Sequence, residues 1–262
     1  MMLASFLLML AAAPPPAADR AGNRIEPLMA QRQVAPSAGA EPLPATVCNG
    51  ARFWCATVRR DGAEGPWTLL VYSAGLGGAP RRLTLPQAAE DETELAVWPF
   101  LVREADGALL VGIKWYRRTM YSGGGAGAER LQLLRLAGAA APVAVLEAPS
   151  EGSSMVRACF SQEDMRSRRR ACHDEYEFSG TLTLDPATTA GRPHFILTTM
   201  ARTYPGRLAR EEDSAERPPL RRRDLVWWRD PDCSYTRRFA PDAAGLYAPD
   251  APLPACSDYL DI

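Results

Sequence analysis

The sequence predicts an all-β protein, an antiparallel meander of short strands, on three observations. Apolar, β-branched and aromatic runs recur roughly every 10 to 15 residues from position 53 onward. Turn residues, chiefly Gly, Pro and an Asp-Gly pair, separate those runs. No stretch sustains the 3.6-residue periodicity of an amphipathic helix; only 86–94 and 161–169 carry the signals of a short helical turn. Strands arriving at this rate without helices between them make a sandwich, a barrel or a propeller. A chain of 262 residues is long enough to bury a core.

Residues 1–18 read as a signal peptide. Positions 3–13 form an unbroken Leu/Ala-rich run of 11 residues, the length of a secretory h-region and short of the ~20 that a membrane helix needs. No Lys or Arg precedes that run, and Pro14 directly follows the A-x-A of Ala11 and Ala13, which moves the expected cleavage to the bond after Ala18. No cysteine stands near enough to carry a lipid anchor, and no later apolar stretch is long enough to be a transmembrane segment. Residues 19–47, small or polar with Pro27, Pro36, Pro42 and Pro44, read as a disordered Pro/Ala-rich linker. The disulfide-bonded domain is expected over 48–262.

Within it, strands are expected at 53–58, 67–72 and 82–85, the last reached through the Gly-rich turn at 75–78. Those at 96–103 and 108–116 flank Asp106-Gly107, the strongest short hairpin signal in the chain. Two more, at 131–136 and 143–146, face each other across an Ala/Gly turn, and 173–184, 194–203, 224–228 and 234–239 complete the set.

An internal echo runs through these strands. Residues 69–72, a Gly-rich turn and Ala79-Pro80 before the return strand match 131–135, a turn and Ala141-Pro142; a looser copy spans 181–184 and Pro193. This hairpin, with Gly and then Pro before its return strand, resembles the outer strands of blades in periplasmic β-propeller proteins, over about a third of the chain. The resemblance implies a small propeller-like fold of about four blade-like units. A β-sandwich is the alternative.

The six cysteines, at 48, 55, 159, 172, 233 and 256, all lie beyond the leader and fall into three local pairs. An even count in an exported chain reads as disulfides, so Cys48–Cys55, Cys159–Cys172 and Cys233–Cys256 are expected, in a periplasmic or secreted protein. The middle pair would close a ring of about 14 residues, worth about 3 kcal/mol. Zinc is disfavoured because no C-x-x-C spacing occurs.

A net charge of −1 argues against a dedicated nucleic-acid binder. Of the 30 basic residues only Lys114 is a lysine, an arginine bias that GC-rich coding produces together with the abundant Ala and Pro. No G-x-S-x-G elbow is present, and the Gly-rich run at 123–127 has no strand–helix unit around it and no Lys-Ser/Thr after it. It reads as a hairpin loop, and no cofactor is expected.

Chemistry concentrates at 172–178. On a strand, Cys172, Asp174, Tyr176 and Phe178 share one face and His173, Glu175 and Glu177 the other. The half-cystine and aromatics turn the first face inward, leaving Asp174 as a buried acid in need of a partner. His173, Asp174 and Glu175 are the catalytic candidates for a hydrolase. His173, Glu175 and Glu177, joined by His194 from another strand, are the metal-ligand candidates. Two arginine clusters remain, one with Arg166, Arg168, Arg169 and Arg170 inside the Cys159–Cys172 loop, the other with Arg217, Arg221, Arg222 and Arg223 ahead of Trp227 and Trp228. Should they converge, they make a cationic surface beside aromatics, suited to an anionic envelope polymer. The leading expectation is an exported cell-envelope protein, a non-enzymatic binding or scaffolding module whose partner is a protein or an envelope component.

Overall fold

In the computed structural model the chain is described at residues 17–31, 45–50, 53–60, 62, 65–73, 80–85, 92–138 and 140–261. The expected leader, up to residue 16, and the helical turn expected from 86, up to 91, lie outside the described residues. Fifteen strands form one open antiparallel sheet: β1 (Ala17–Ala18), β2 (Arg24–Ala30), β3 (Val47–Asn49), β4 (Trp54–Arg60), β5 (Trp67–Ser73), β6 (Arg81–Thr84), β7 (Glu92–Arg103), β8 (Leu109–Tyr121), β9 (Gly124–Leu136), β10 (Val143–Arg157), β11 (His173–Leu184), β12 (Phe195–Tyr204), β13 (Trp228–Asp230), β14 (Thr236–Pro241) and β15 (Tyr247–Pro249). The spatial order is β15-β14-β12-β11-β10-β9-β8-β7-β2-β3-β4-β5-β6, with β13 on β12 and β1 on β2. Two short helices, α1 (Gln162–Ser167) and α2 (Ser257–Leu260), complete it.

The all-β meander is therefore what forms. Asp106-Gly107 turns β7 into β8 as its sequence predicts: Gly107 has φ +89°, and the Asp106 carboxylate accepts from the Ala108 N–H at 2.9 Å. The hairpins of the internal echo do not separate into blades. Hydrogen bonding runs unbroken through one open sheet, in which the β9–β10 and β11–β12 units are neighbours and the β5–β6 unit lies at the far edge. Sandwich-like packing does occur at one end, where β3–β6 lie over β7–β9.

Several expectations change: the strand expected at 224–228 is displaced, a short helical turn taking Arg222–Asp224 and β13 beginning at Trp228. Residues 19–47 do not form a tether throughout, because β2 pairs through Arg24–Pro27 with β7 and through Leu28–Ala30 with β3. Pro27 stands at the change of partner, where a missing N–H costs the ladder least. Ahead of it, Asn23 is fully buried: it donates to both Asp19 carboxylate oxygens, at 2.9 and 2.8 Å, and accepts from the Ala105 N–H at 2.8 Å. The Gly-rich run at 123–127 is not a loop beyond Gly123 but the start of β9. A Cβ at Gly127 would stand 2.5 Å from the Tyr116 hydroxyl oxygen, so the glycine leaves room for the tyrosine that β8 lays across β9. Likewise β10 extends to Arg157, and a Cβ at Gly152 would stand 2.5 Å from the Tyr259 carbonyl oxygen, which is where α2 docks.

The core explains why the central strands read as nearly continuous apolar runs. On β8, Val111, Ile113 and Trp115 pack under β3–β6 with Trp54, Leu69 and Leu101, while Leu110 faces the opposite core with Trp98, Leu133, Phe195 and Phe239. A strand buried on both faces has no solvent side to record as alternation. On β11 and β12 the alternation is clean: Tyr176, Phe178, Leu182 and Leu184 point inward with Phe195, Leu197 and Ala201, and the reverse face meets solvent. The hydrogen-bond register of β10 against β9 slips at Ala144/Leu146 and again at Pro149/Glu151, irregularities that bend the sheet between these two regimes.

Candidate functional site

All three disulfides form in the expected pairing, and no cysteine is free. Cys48 and Cys55 face each other directly across β3 and β4. Cys233–Cys256 ties α2 to the β13–β14 connection, and Cys159–Cys172 closes the loop between β10 and β11 at its base. Three such bonds suit an oxidising, non-cytoplasmic compartment. Among the described residues no helix is long and apolar enough to cross a membrane.

The Cys159–Cys172 loop is built for rigidity. Ser161 caps α1: its hydroxyl accepts from the Asp164 N–H at 3.1 Å, while the Asp164 carboxylate accepts from the N–H groups of Ser161 and Phe160, each at 2.8 Å. Those backbone donors, Phe160 foremost, hold the Asp164 carboxyl below its ordinary range. After α1 the chain reverses through Arg169 and Arg170, at φ +53° and +72°, a left-handed conformation that non-glycine residues seldom adopt. The Leu220 N–H donates to the Ser167 carbonyl at 2.8 Å, which docks the second arginine-rich loop against the first.

Arg168, placed by the sequence among the ligand candidates, is instead structural. It is 5% exposed, its Nε donates to the Ala171 carbonyl at 2.9 Å, and its guanidinium pairs with Asp174, itself 3% exposed. The Ser214 hydroxyl donates to the other Asp174 oxygen. Burial pushes the Asp174 carboxyl up from its ordinary range, with Arg168 pulling the other way. The inward acid predicted from strand alternation thus finds its partner six residues back.

The other arginines converge. Arg166, Arg169 and Arg170 from the first loop and Arg222 from the second line one pocket of about 660 Å³, with Met165 and Leu225 as its apolar wall. Among the described residues none of these four guanidinium groups has a carboxylate at ion-pair distance. Arg217 is drawn off to Glu212, and Arg223 stands 3.9 Å from Asp224. Asp224 also accepts from the Arg221 N–H at 2.7 Å, closing the turn that presents Arg222. Arg221 and Arg223 flank the pocket without lining it.

A second cavity behaves differently. That cavity, of about 510 Å³, lies between Trp115 and the C-terminal segment at Leu253 and Pro254. Its Arg130 stacks 4.7 Å over Trp115 and pairs with Glu147 at 2.8 Å, so its charge is neutralised in place. In the loop pocket, by contrast, four guanidinium groups stand without a carboxylate at ion-pair distance among the described residues.

The remaining sequence candidates are scattered. His173 is exposed and Glu175 half-buried on the outer face of β11, while Asp174 points into the opposite face, so these three do not gather. Glu177 shares the outer face and is engaged by Arg202, whose Nε donates to it at 2.7 Å. His194 precedes β12 and its carbonyl accepts from the Asp185 N–H just beyond the far end of β11. That places it about 40 Å from His173 at the usual strand rise. Among the described residues no group of three or more His, Cys, Asp or Glu side chains is disposed to hold a metal ion.

Sequence reasoning named Trp227 but missed the pocket's apolar wall and Phe160. Phe160, immediately before the α1 cap, is 71% exposed under the Arg157 guanidinium, 5.2 Å from its ring. Trp227 is partly exposed between Arg202, 4.4 Å over its ring, and Tyr204 at 5.6 Å. Nothing in the local pattern marks Phe160 as outward, since it adjoins a buried half-cystine. No protein-family model, curated protein or solved structure matches this chain.

Proposed function

We propose that this chain is an exported binding module of the cell envelope, periplasmic or secreted, that holds an anionic ligand in the arginine-lined pocket. The observation that carries the reading is the convergence of Arg166, Arg169, Arg170 and Arg222 with no carboxylate among the described residues at ion-pair distance. Guanidinium groups pair bidentately with phosphate and carboxylate, and several on one pocket wall favour a ligand of multiple negative charge. The disulfide, the α1 cap and the Arg168–Asp174 pair support the reading in another way: a loop fixed before binding loses little entropy on binding.

Isothermal titration with inorganic tripolyphosphate tests it. Saturable binding should weaken steeply as salt rises to about 0.3 M, because exposed charges are screened over a few ångströms there. Arg222→Gln should weaken it about tenfold, the share of one charge-assisted contact. Binding indifferent to salt, or none by the folded protein, would overturn the proposal.

A further inference from the structure

We infer that this end of the sheet docks on an anionic lipid surface, with lipid phosphates entering the arginine pocket and the surrounding apolar tips entering the headgroup region. The inference rests on the pocket's binding anions and adds where those anions sit. Three connections reach this end: the β8–β9 hairpin, the Cys159–Cys172 loop and the segment from β12 to β13. They are joined to one another, since the Arg157 N–H donates to the Gly123 carbonyl at 2.7 Å and the Leu220 N–H to that of Ser167 at 2.8 Å.

The most exposed large apolar residues among those described stand here, Met120 at 74% and Phe160 at 71%. Tyr121, Met165, Val226 and Trp227 are exposed beside them. Residues 157–170 and 221–228 together hold eight arginines and three carboxylates, in a chain whose net charge is −1. A soluble anion would need the guanidinium groups alone. Exposed Phe, Met, Val and Trp around them cost solubility and return nothing to such a ligand.

A lipid surface uses both features. Basic side chains are drawn to its negative potential, aromatic rings favour the headgroup level, and apolar tips gain by leaving water. Arg202, held by Glu177, stacks on Trp227 and fixes the position of that indole at the end of the sheet.

Co-sedimentation of the full chain with vesicles of phosphatidylglycerol in phosphatidylcholine, against phosphatidylcholine alone, tests this, with tripolyphosphate titrated in parallel. The inference predicts partitioning onto the anionic vesicles only. Arg222→Gln and Arg169→Asn, the second chosen because Asn tolerates positive φ, should each lower it about fivefold. Phe160→Ser should lower it about tenfold while leaving tripolyphosphate affinity unchanged. Circular dichroism establishes that each variant is folded. Tripolyphosphate binding without vesicle binding would overturn the lipid inference and leave the anion pocket standing; so would vesicle binding that Phe160→Ser and Val226→Ser do not diminish. Failure of both probes would overturn both.

Discussion

Arg168 and its neighbours Arg166, Arg169 and Arg170 come from a single five-residue stretch, yet they occupy opposite physical regimes. Arg168 is buried against Asp174, its charge matched, and it also donates to the Ala171 carbonyl. The other three line an open pocket with Arg222 and pair with no carboxylate among the described residues. The comparison separates two uses of one residue type. A buried, matched guanidinium fixes the loop, and exposed, unmatched ones are left for a ligand. Removing the first should cost stability, and removing the second should cost only binding.

The largest effect should come from Arg168→Met, which strands the Asp174 carboxylate beneath the loop. Breaking a buried pair on one side costs about 3–5 kcal/mol, readable as a shift in urea midpoint. Arg169→Asn should stay within about 0.5 kcal/mol of the parent. Equal destabilisation by the two would erase the distinction. Replacing Cys159 and Cys172 by Ser should follow, with a loss of about 3 kcal/mol for a ring of this length; it should also weaken tripolyphosphate binding, since the loop that carries Arg166, Arg169 and Arg170 loses its base. Ser161→Ala comes next, at about 1 kcal/mol, the usual worth of an N-cap.

The smallest effect is a pH dependence. Burial raises the carboxyls of Asp174 and of Glu104, the latter paired with Arg135 at 2.5 Å. A carboxyl raised in the folded state contributes stability that is full below its unfolded value near 4 and is lost as pH rises through the folded one. Asp164, lowered by its backbone donors, acts in the opposite sense, losing its contribution as pH falls through its depressed value. Glu104→Gln should therefore flatten the decline on the alkaline side of pH 4. An unchanged urea-midpoint profile in that variant would remove the assignment.

The parts of this molecule that were legible in its sequence are those where one local rule decides. Strand alternation placed Asp174 inward and His173, Glu175 and Glu177 outward, and β11 spans the residues expected of it. Asp106-Gly107 fixed its hairpin, and sequence proximity fixed all three disulfides. What escaped depends on partners far along the chain. The glycines of β9 look like a loop until Tyr116 is laid over Gly127, and Pro27 looks like a breaker until β2 is seen to change neighbours beside it. Whether the two arginine clusters meet could not be read locally either. It is settled by one backbone hydrogen bond between Leu220 and Ser167 and by the acids that claim Arg168 and Arg217.

The most direct measurement is a tripolyphosphate titration followed through the arginine side-chain Nε–Hε NMR signals, assigned by substitution. Saturable shifts are predicted for Arg166, Arg169, Arg170 and Arg222, with Arg168 unmoved because Asp174 already holds it. Uniform, non-saturating shifts across all the arginines, or a response at Arg168 with none at Arg222, would contradict the account.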